Sequence, residues 1–481
     1  MAMNRRGFLG ASGMLAAGAM LGPLLRSRRA RGAGTFATEH LLVVGIAGGL
    51  RNSEALGMAQ GATMPNLLGN VPLISGFGSG AAGPVRIAPE YAAAVQPLVL
   101  PAPRPAPLYT EGALITNLRY AEGAPGHLQG QACLMSGYYN NLENRADARL
   151  PVPTIFEIHR RMANAPATDA WYVSVVGGFY RALQASEHAG FGPRFGASFF
   201  SPPGVATPLV PVITSGRRTV EVGGAGTLPV IPYDPEEDTA VARLRAVLDG
   251  DYPAPEDDHT TFRATVEENA ALREHLAAMY SDDTYGSFFP ASFGIGLDDG
   301  NGGLDQTADA LTVYHAERIL ERFTPSVLGL TLIDIDACHT DFNGYLRGQQ
   351  IADACVAHLW DFIQSTDGLR DKTTMIVLPE HGRHLYMNGQ NPDSLGRSGI
   401  DHGEGDNGDR DVWMMILGPD VAPVGAIEPT GISQSGRNSG RYETIDAVMT
   451  GMTLLGHGER MAGTLSDFGA RPGLTIGEVL R

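Results

Sequence analysis

The sequence predicts an α/β fold, a mostly parallel central sheet with helices on both faces. Three observations carry this. Short apolar, β-branched runs recur at 40–46, 171–176, 327–335, 373–378 and 412–417. They are continuous rather than alternating, as strands buried on both faces must be. Between several of them lie stretches with helical spacing of apolar residues, which is the alternation of an α/β sheet.

Taken in order, His40–Ile46 reads as a buried first strand ending in a Gly-rich turn at Gly48 and Gly49. The Pro- and Gly-rich stretch 60–110 reads as loops. Pro153 and Thr154 mark a helix start, with Ile155, Phe156, Ile158 and Met162 on one face. Residues 171–176 form the next strand. Residues 200–260 are rich in Pro, Gly and acids without strong periodicity, which predicts an insertion or cap reaching to about residue 300. Leu311, Val313, Ile319 and Leu320 give 307–323 a helical pattern, and 327–335 is a long apolar run suited to a central strand. A helical pattern over 346–363, strands at 373–378 and 412–417, and a helix over 445–455 closed by Gly456 complete the chain. There is no internal repeat.

With 43% hydrophobic residues in 481, the chain has ample material for a core, which excludes wholesale disorder. The formal charge is −17, and the first 34 residues carry six arginines and no acid, so the remainder is more acidic still. Such a surface repels phosphate backbones and anionic membranes, which excludes nucleic acid as a partner. Cys133, Cys338 and Cys355 form no C-x-x-C pair, which argues against a disulfide framework or a zinc ribbon and for small buried thiols; one disulfide remains open.

The chain begins with Asn4, Arg5, Arg6, Gly7, Phe8 and Leu9, followed by an Ala/Gly-rich apolar stretch over 10–25 that contains Pro23. The paired arginines before Phe-Leu resemble a twin-arginine export signal. The apolar stretch is shorter than the roughly 20 residues that span a bilayer, so it reads as a signal segment and not as a stable membrane anchor. The expectation is a signal peptide over 1–34, a mature α/β domain over 35–481, the twin-arginine translocase as a partner during export, and a periplasmic or extracellular location.

In open α/β sheets, ligands bind beyond the carboxyl ends of the strands. Three places there, or just before the last predicted strand, pair a carboxylate with an imidazole: Asp334 or Asp336 with His339, Glu380 with His381, and Asp401 with His402. This mixture suits a divalent metal, with zinc ahead of manganese or iron. Three histidines argue against calcium, which prefers oxygen ligands throughout. For any one of these histidines alone, the bland reading is a satisfied core or surface residue. The Gly-rich turn after the first strand lacks the full G-x-G-x-x-G and has no clear amphipathic helix behind it, so dinucleotide binding is weakly supported.

Several segments in this order resemble the alkaline phosphatase superfamily, and most closely the exported family called domain of unknown function 1501. They are LLVVGIAGGLRN after residue 40, PGHLQGQACLMSG at 125–137, DIDACHTDFNGY at 334–345, TTMIVLPEHGRHLYMN at 373–388, GIDHGEG at 399–405 and ETIDAVMTGMTLLG at 443–456. The resemblance implies an alkaline-phosphatase-like sheet and two adjacent metals. The first metal would fall to Asp336 or Asp334, His339 and His402, and the second to Glu380 and His381. It also implies two departures. Ala47 or a neighbouring glycine stands where the family has an aspartate, and Glu122, Gly123 and Ala124 precede Pro125-Gly126-His127 where a Thr or Ser nucleophile belongs. Ser136 is near but sits at the following turn. The implied reaction is hydrolysis of a phosphate or sulfate ester, from a small anionic ester or a cell-envelope substrate, by water activated on a metal. His127 would serve as base or further ligand. Arg383 would clamp an anionic oxygen or pair with a carboxylate, and Glu122 and Asn388 are weaker candidates of the same kind. The missing hydroxyl leaves a non-catalytic metal-binding or scaffold protein as the alternative.

Overall fold

The computed structural model describes residues 36–56, 63–71, 98–142, 148–175, 180–188, 190–200, 293–298, 304–305, 307–339, 341–385, 399–403 and 407–481, with the backbone of three short strands at 212–214, 217–222 and 226–228. The expected signal peptide and most of the expected 200–300 insertion lie outside these residues.

The principal elements are β1 (His40–Ile46), β2 (Ala113–Arg119), α1 (His127–Ser136), α2 (Ile155–Ala163), β3 (Ala170–Ser174), β4 (Ser198–Phe200), α3 (Ala308–Phe323), β5 (Val327–Leu332), α4 (Phe342–Ser365), β6 (Thr373–Pro379), β7 (Asp411–Leu417), β8 (Gly425–Ile427), α5 (Thr444–Leu454) and α6 (Gly458–Asp467). The strands form one eight-stranded sheet in the order β8-β2-β7-β6-β1-β5-β3-β4. Every neighbouring pair is parallel except those of β7, which runs antiparallel to β6 and β2.

β1 sits in the middle, and its alternate side chains show the two faces. Leu42, Val44 and Ile46 join a core with α3 and α4. Leu41 and Val43 join a second core with α1, α2 and α5. A sheet covered on both faces is the predicted fold, and the continuous apolar runs are its cause. Helix starts follow local chemistry. Thr154 caps α2 in a capping box with Glu157, and the Thr307 hydroxyl accepts from Ala310 N at 3.3 Å to start α3.

Three differences from the sequence reading matter for the site. The run at 327–335 is a strand only as far as Leu332, and 334–339 turns into a 3-10 helix. The cause is reciprocal: the Asp334 carboxylate accepts from Ala308 N and Asp309 N, while Asp334 N donates to Asp309 Oδ1. Strand β2 and helix α1 lie in stretches where the sequence showed no element. Helix α1 is buried from Gly130 to Ser136, so it carries no polar stripe to betray it. All three cysteines are free and buried. Among the described residues, no helix is long and apolar enough to cross a membrane.

Candidate metal centre

β1, β2, β5 and β6 all point their carboxyl ends the same way, and β7 begins there. The turn after β5 brings Asp336 and His339. The residues after β6 bring Glu380 and His381. The segment before β7 brings Asp401 and His402, and α1, following β2, brings His127 as its first residue. Two glycines let these segments meet. Gly48 has φ +100°, and a Cβ there would come 2.6 Å from Asp336 N. Gly49 has φ +77°, and its Cβ would come 2.5 Å from Gly382 O.

Two overlapping groups of ligand atoms result: His127, Asp336, His339 and His402 in one, and His127, Glu380 and His381 in the other, each within 4.8 Å of one another. The four imidazoles share one posture. Nδ1 of His127 meets Glu380 Oε1 at 2.8 Å, and Nδ1 of His339 meets Asp401 Oδ1 at 2.9 Å. Nδ1 of His381 meets Gly382 O at 2.7 Å, and Nδ1 of His402 meets Pro125 O at 3.1 Å. With an acceptor fixing each Nδ1–H, the lone pair is left on Nε2. Nε2 of His127 and of His339 lie 3.4 Å and 3.2 Å from Asp336 Oδ1, and Nε2 of His381 lies 3.2 Å from Glu380 Oε1. Nε2 of His381, Nε2 of His402 and Oε2 of Glu380 are buried and have no hydrogen-bond partner among the described residues. Buried polar atoms are rarely left so, and a cation in each group would satisfy them: His402 in the first, Glu380 and His381 in the second.

The electrostatics divide the group. Burial pushes the Glu380 carboxyl up, but the bond from His127 and the close imidazole of His381 outweigh it and hold it below the ordinary range. Burial likewise raises Asp336, yet the close imidazole of His339 and the charges of His127 and Arg383 hold it well below the usual carboxylate range. Burial opposes the charge on His127, and its bond to Glu380 raises it nonetheless. Burial, with the neighbouring charges of His381, Arg383 and His127, holds His402 neutral far below the usual imidazole range. The two carboxylates and His402 are thus in the protonation states a metal requires, whereas the carboxylates beside His127 and His339 draw those rings toward the cationic form that a bound metal would displace.

The sequence-predicted residues thus divide. Asp336, His339, His402, Glu380, His381 and His127 come together. Asp334 does not, because its carboxylate caps α3. Asp401 stands behind His339 as its orienting carboxylate. Arg383 is fully buried, and its guanidinium donates to Gly49 O, Ile400 O and Asp336 Oδ1, so it is directed at the protein and not at an anion. Glu122 pairs with Arg471 at 2.7 Å, and Asn388 lies outside the described residues. Ser136, at the far end of α1, donates to Ala132 O.

Two supports escaped the sequence reading. Arg51 is buried, paired with Glu54, and donates at 2.9 Å to the carbonyls of His384 and Leu385, which fastens the segment after His381. Gly130 lets α1 lie on Glu380, since a Cβ there would meet Glu380 Cβ at 2.8 Å. Glu380 Oε1 also accepts from Gly48 N at 2.8 Å, so the Gly-rich turn after β1 is held by the second group's own carboxylate.

No protein-family model matches this chain, and no curated protein matches it. Solved structures resemble it loosely. The carbohydrate-complexed structure of Ps i-CgsB with k-i-k-neocarrahexaose aligns with a TM-score of 0.40 at 11% identity, over 90% of this chain and 77% of that one. The lipoteichoic acid synthase LtaP from Listeria monocytogenes aligns with a TM-score of 0.39 at 10% identity, over 87% and 72%. A protein in the alkaline phosphatase superfamily from Vibrio parahaemolyticus aligns with a TM-score of 0.36 at 10% identity, over 87% and 66%.

Proposed function

We propose that this chain is an exported, metal-dependent hydrolase of phosphate or sulfate esters, an outlying member of the alkaline phosphatase superfamily akin to the family called domain of unknown function 1501. The observation that carries the metal reading is the common posture of four imidazoles, each with Nδ1 held by an acceptor and Nε2 turned toward a carboxylate or left buried without a partner. Asp336, His339 and His402 would hold one divalent ion, and Glu380 and His381 a second, with His127 between them. The imidazole and carboxylate donors suit zinc, then manganese or iron. Such an ion would neutralise an anionic ester oxygen and lower the pKa of a water. Asp401 orients His339, and Arg383 positions Asp336. Supporting the ester class are the motif order, the acidic chain's need for a cation to draw an anion in, and the N-R-R-G-F-L start that suits export.

Metal analysis of protein purified without chelator, followed by turnover of an aryl phosphate and an aryl sulfate with and without chelator, tests this. One or two equivalents of metal and a chelator-sensitive activity are expected. Bound metal without turnover of either ester would favour the non-catalytic reading, to which the missing family hydroxyl points. No bound metal would sink both.

A further inference from the structure

We propose that His127 is the nucleophile of this site, and that a phosphate monoester is hydrolysed through a phosphohistidine on its Nε2. The inference rests on the hydrolase reading and names the group that takes the place of the absent hydroxyl.

Four observations place it. His127 is the first residue of a ten-residue helix, where unpaired amides and the helix dipole favour an anionic group. It is the one residue common to both ligand groups, so a phosphoryl group held between them would sit against its ring. Its Nδ1 is held at 2.8 Å by Glu380, a carboxylate with no exposure to solvent, which orients the ring and stabilises the charge that imidazole gains on attack. Its removal from either group leaves ligands in place: Asp336, His339 and His402 on one side, Glu380 and His381 on the other. The first group then keeps three ligands and an open position, which is what a catalytic metal needs.

The step balances without another reactant. The Nε2 lone pair forms the N–P bond while the ester P–O bond breaks, and its electron pair leaves on the alcohol oxygen. Nδ1–H stays bonded to Glu380. Water then attacks phosphorus, and the N–P pair returns to Nε2. The water's proton ends on the alcohol, giving alcohol and inorganic phosphate.

The test uses zinc-loaded wild-type protein and an aryl phosphorothioate made chiral at phosphorus by sulfur and two oxygen isotopes, hydrolysed in water of the third isotope; an unlabelled aryl phosphate serves for the adduct and the kinetics. Two displacements give net retention, and one gives inversion. We expect retention, together with a protein-bound phosphate that survives an alkaline quench and is lost in acid, the opposite of a serine or threonine ester. In His127→Gly, kcat should fall about 10³-fold, and added imidazole should restore turnover while releasing N-phosphoimidazole. Inversion in an active wild-type enzyme would overturn the proposal and leave His127 a ligand or base, with the hydrolase reading intact. So would imidazole rescue without phosphoimidazole. Retention with an acid-stable adduct would move the nucleophile to a hydroxyl. Absence of any turnover would remove the hydrolase reading and this one together.

Discussion

Histidine and carboxylate meet at both ends of this sheet, with opposite results. At the amino ends of β3 and β5, His457 Nε2 lies 3.0 Å from His159 Nδ1, and His159 Nε2 lies 2.8 Å from Asp169 Oδ2. Asp169 Oδ1 in turn accepts from Ser326 N and its hydroxyl. The ring nitrogens of His159 are both engaged within the protein, and the chain of bonds ties α2, the sheet and the segment after α5 together. At the carboxyl ends, each imidazole is held at Nδ1; Nε2 of His127 and His339 faces Asp336, and Nε2 of His381 and His402 is buried without a partner among the described residues. Residue type is the same in both places. What separates a structural network from a ligand site is whether the lone pairs are used up internally.

That contrast can be broken most directly at the ligands. His402→Ala should abolish stoichiometric metal binding and lower ester hydrolysis more than about 100-fold, as read by metal analysis and steady-state kinetics. In chelator-treated protein the same change should leave stability within about 1 kcal/mol, because the loss of the Nδ1 bond to Pro125 O is offset by removing the unpartnered Nε2. A large loss of stability in metal-free protein would place His402 in a structural network instead.

At the other end, His159→Ala should lower unfolding free energy by about 2–3 kcal/mol, since it strands Asp169 and His457, while metal content stays unchanged. Urea unfolding alongside metal analysis reads both. The behind-the-ligand position sharpens the boundary: Asp401→Asn should weaken metal binding about 10- to 100-fold without unfolding the chain, measured by competition with a chelator.

The smallest effect concerns pH. Burial and the neighbouring His159 push His457 down to about 4. Its unfolded value is near 6.5, so the unfolded state binds the extra proton between those values. The neutral form's stability is therefore fully present above pH 6.5 and lost as pH falls toward 4. The loss should be about 1–2 kcal/mol, discounted for partial exposure. His457→Asn should flatten this acid limb relative to wild type. Identical pH profiles would show that His457 does not titrate with folding.

Much of this was legible without a structure. β1, β6 and β7 are continuous apolar runs because both faces of the sheet are covered, and burial writes itself plainly into such segments. The carboxylate–imidazole pairs were legible because each lies within a few residues in the chain, beyond the carboxyl end of a strand or just before β7, where ligands to open α/β sheets bind. Helix α1 was hidden because it is buried nearly all round, and β2 because Thr116, Asn117 and Arg119 break its apolar run. The lack of a hydroxyl ahead of Pro125 was visible in sequence, and His127 was visible as a base or ligand, but its membership of both ligand groups was not.

The sequence by itself determined the fold class, the helix caps, the acidic character and the supply of metal-type ligands, since each depends on composition or on spacing within a few residues. Only the tertiary structure decided between Asp334 and Asp336, because which carboxylate caps α3 and which faces His339 depends on contacts with distant elements. It likewise turned Arg383 onto Asp336, set Asp401 behind His339, and brought His127 from α1 between two ligand groups that lie more than 200 residues further along the chain. Side-chain direction and partner choice are settled by packing at long range, and no local pattern records them.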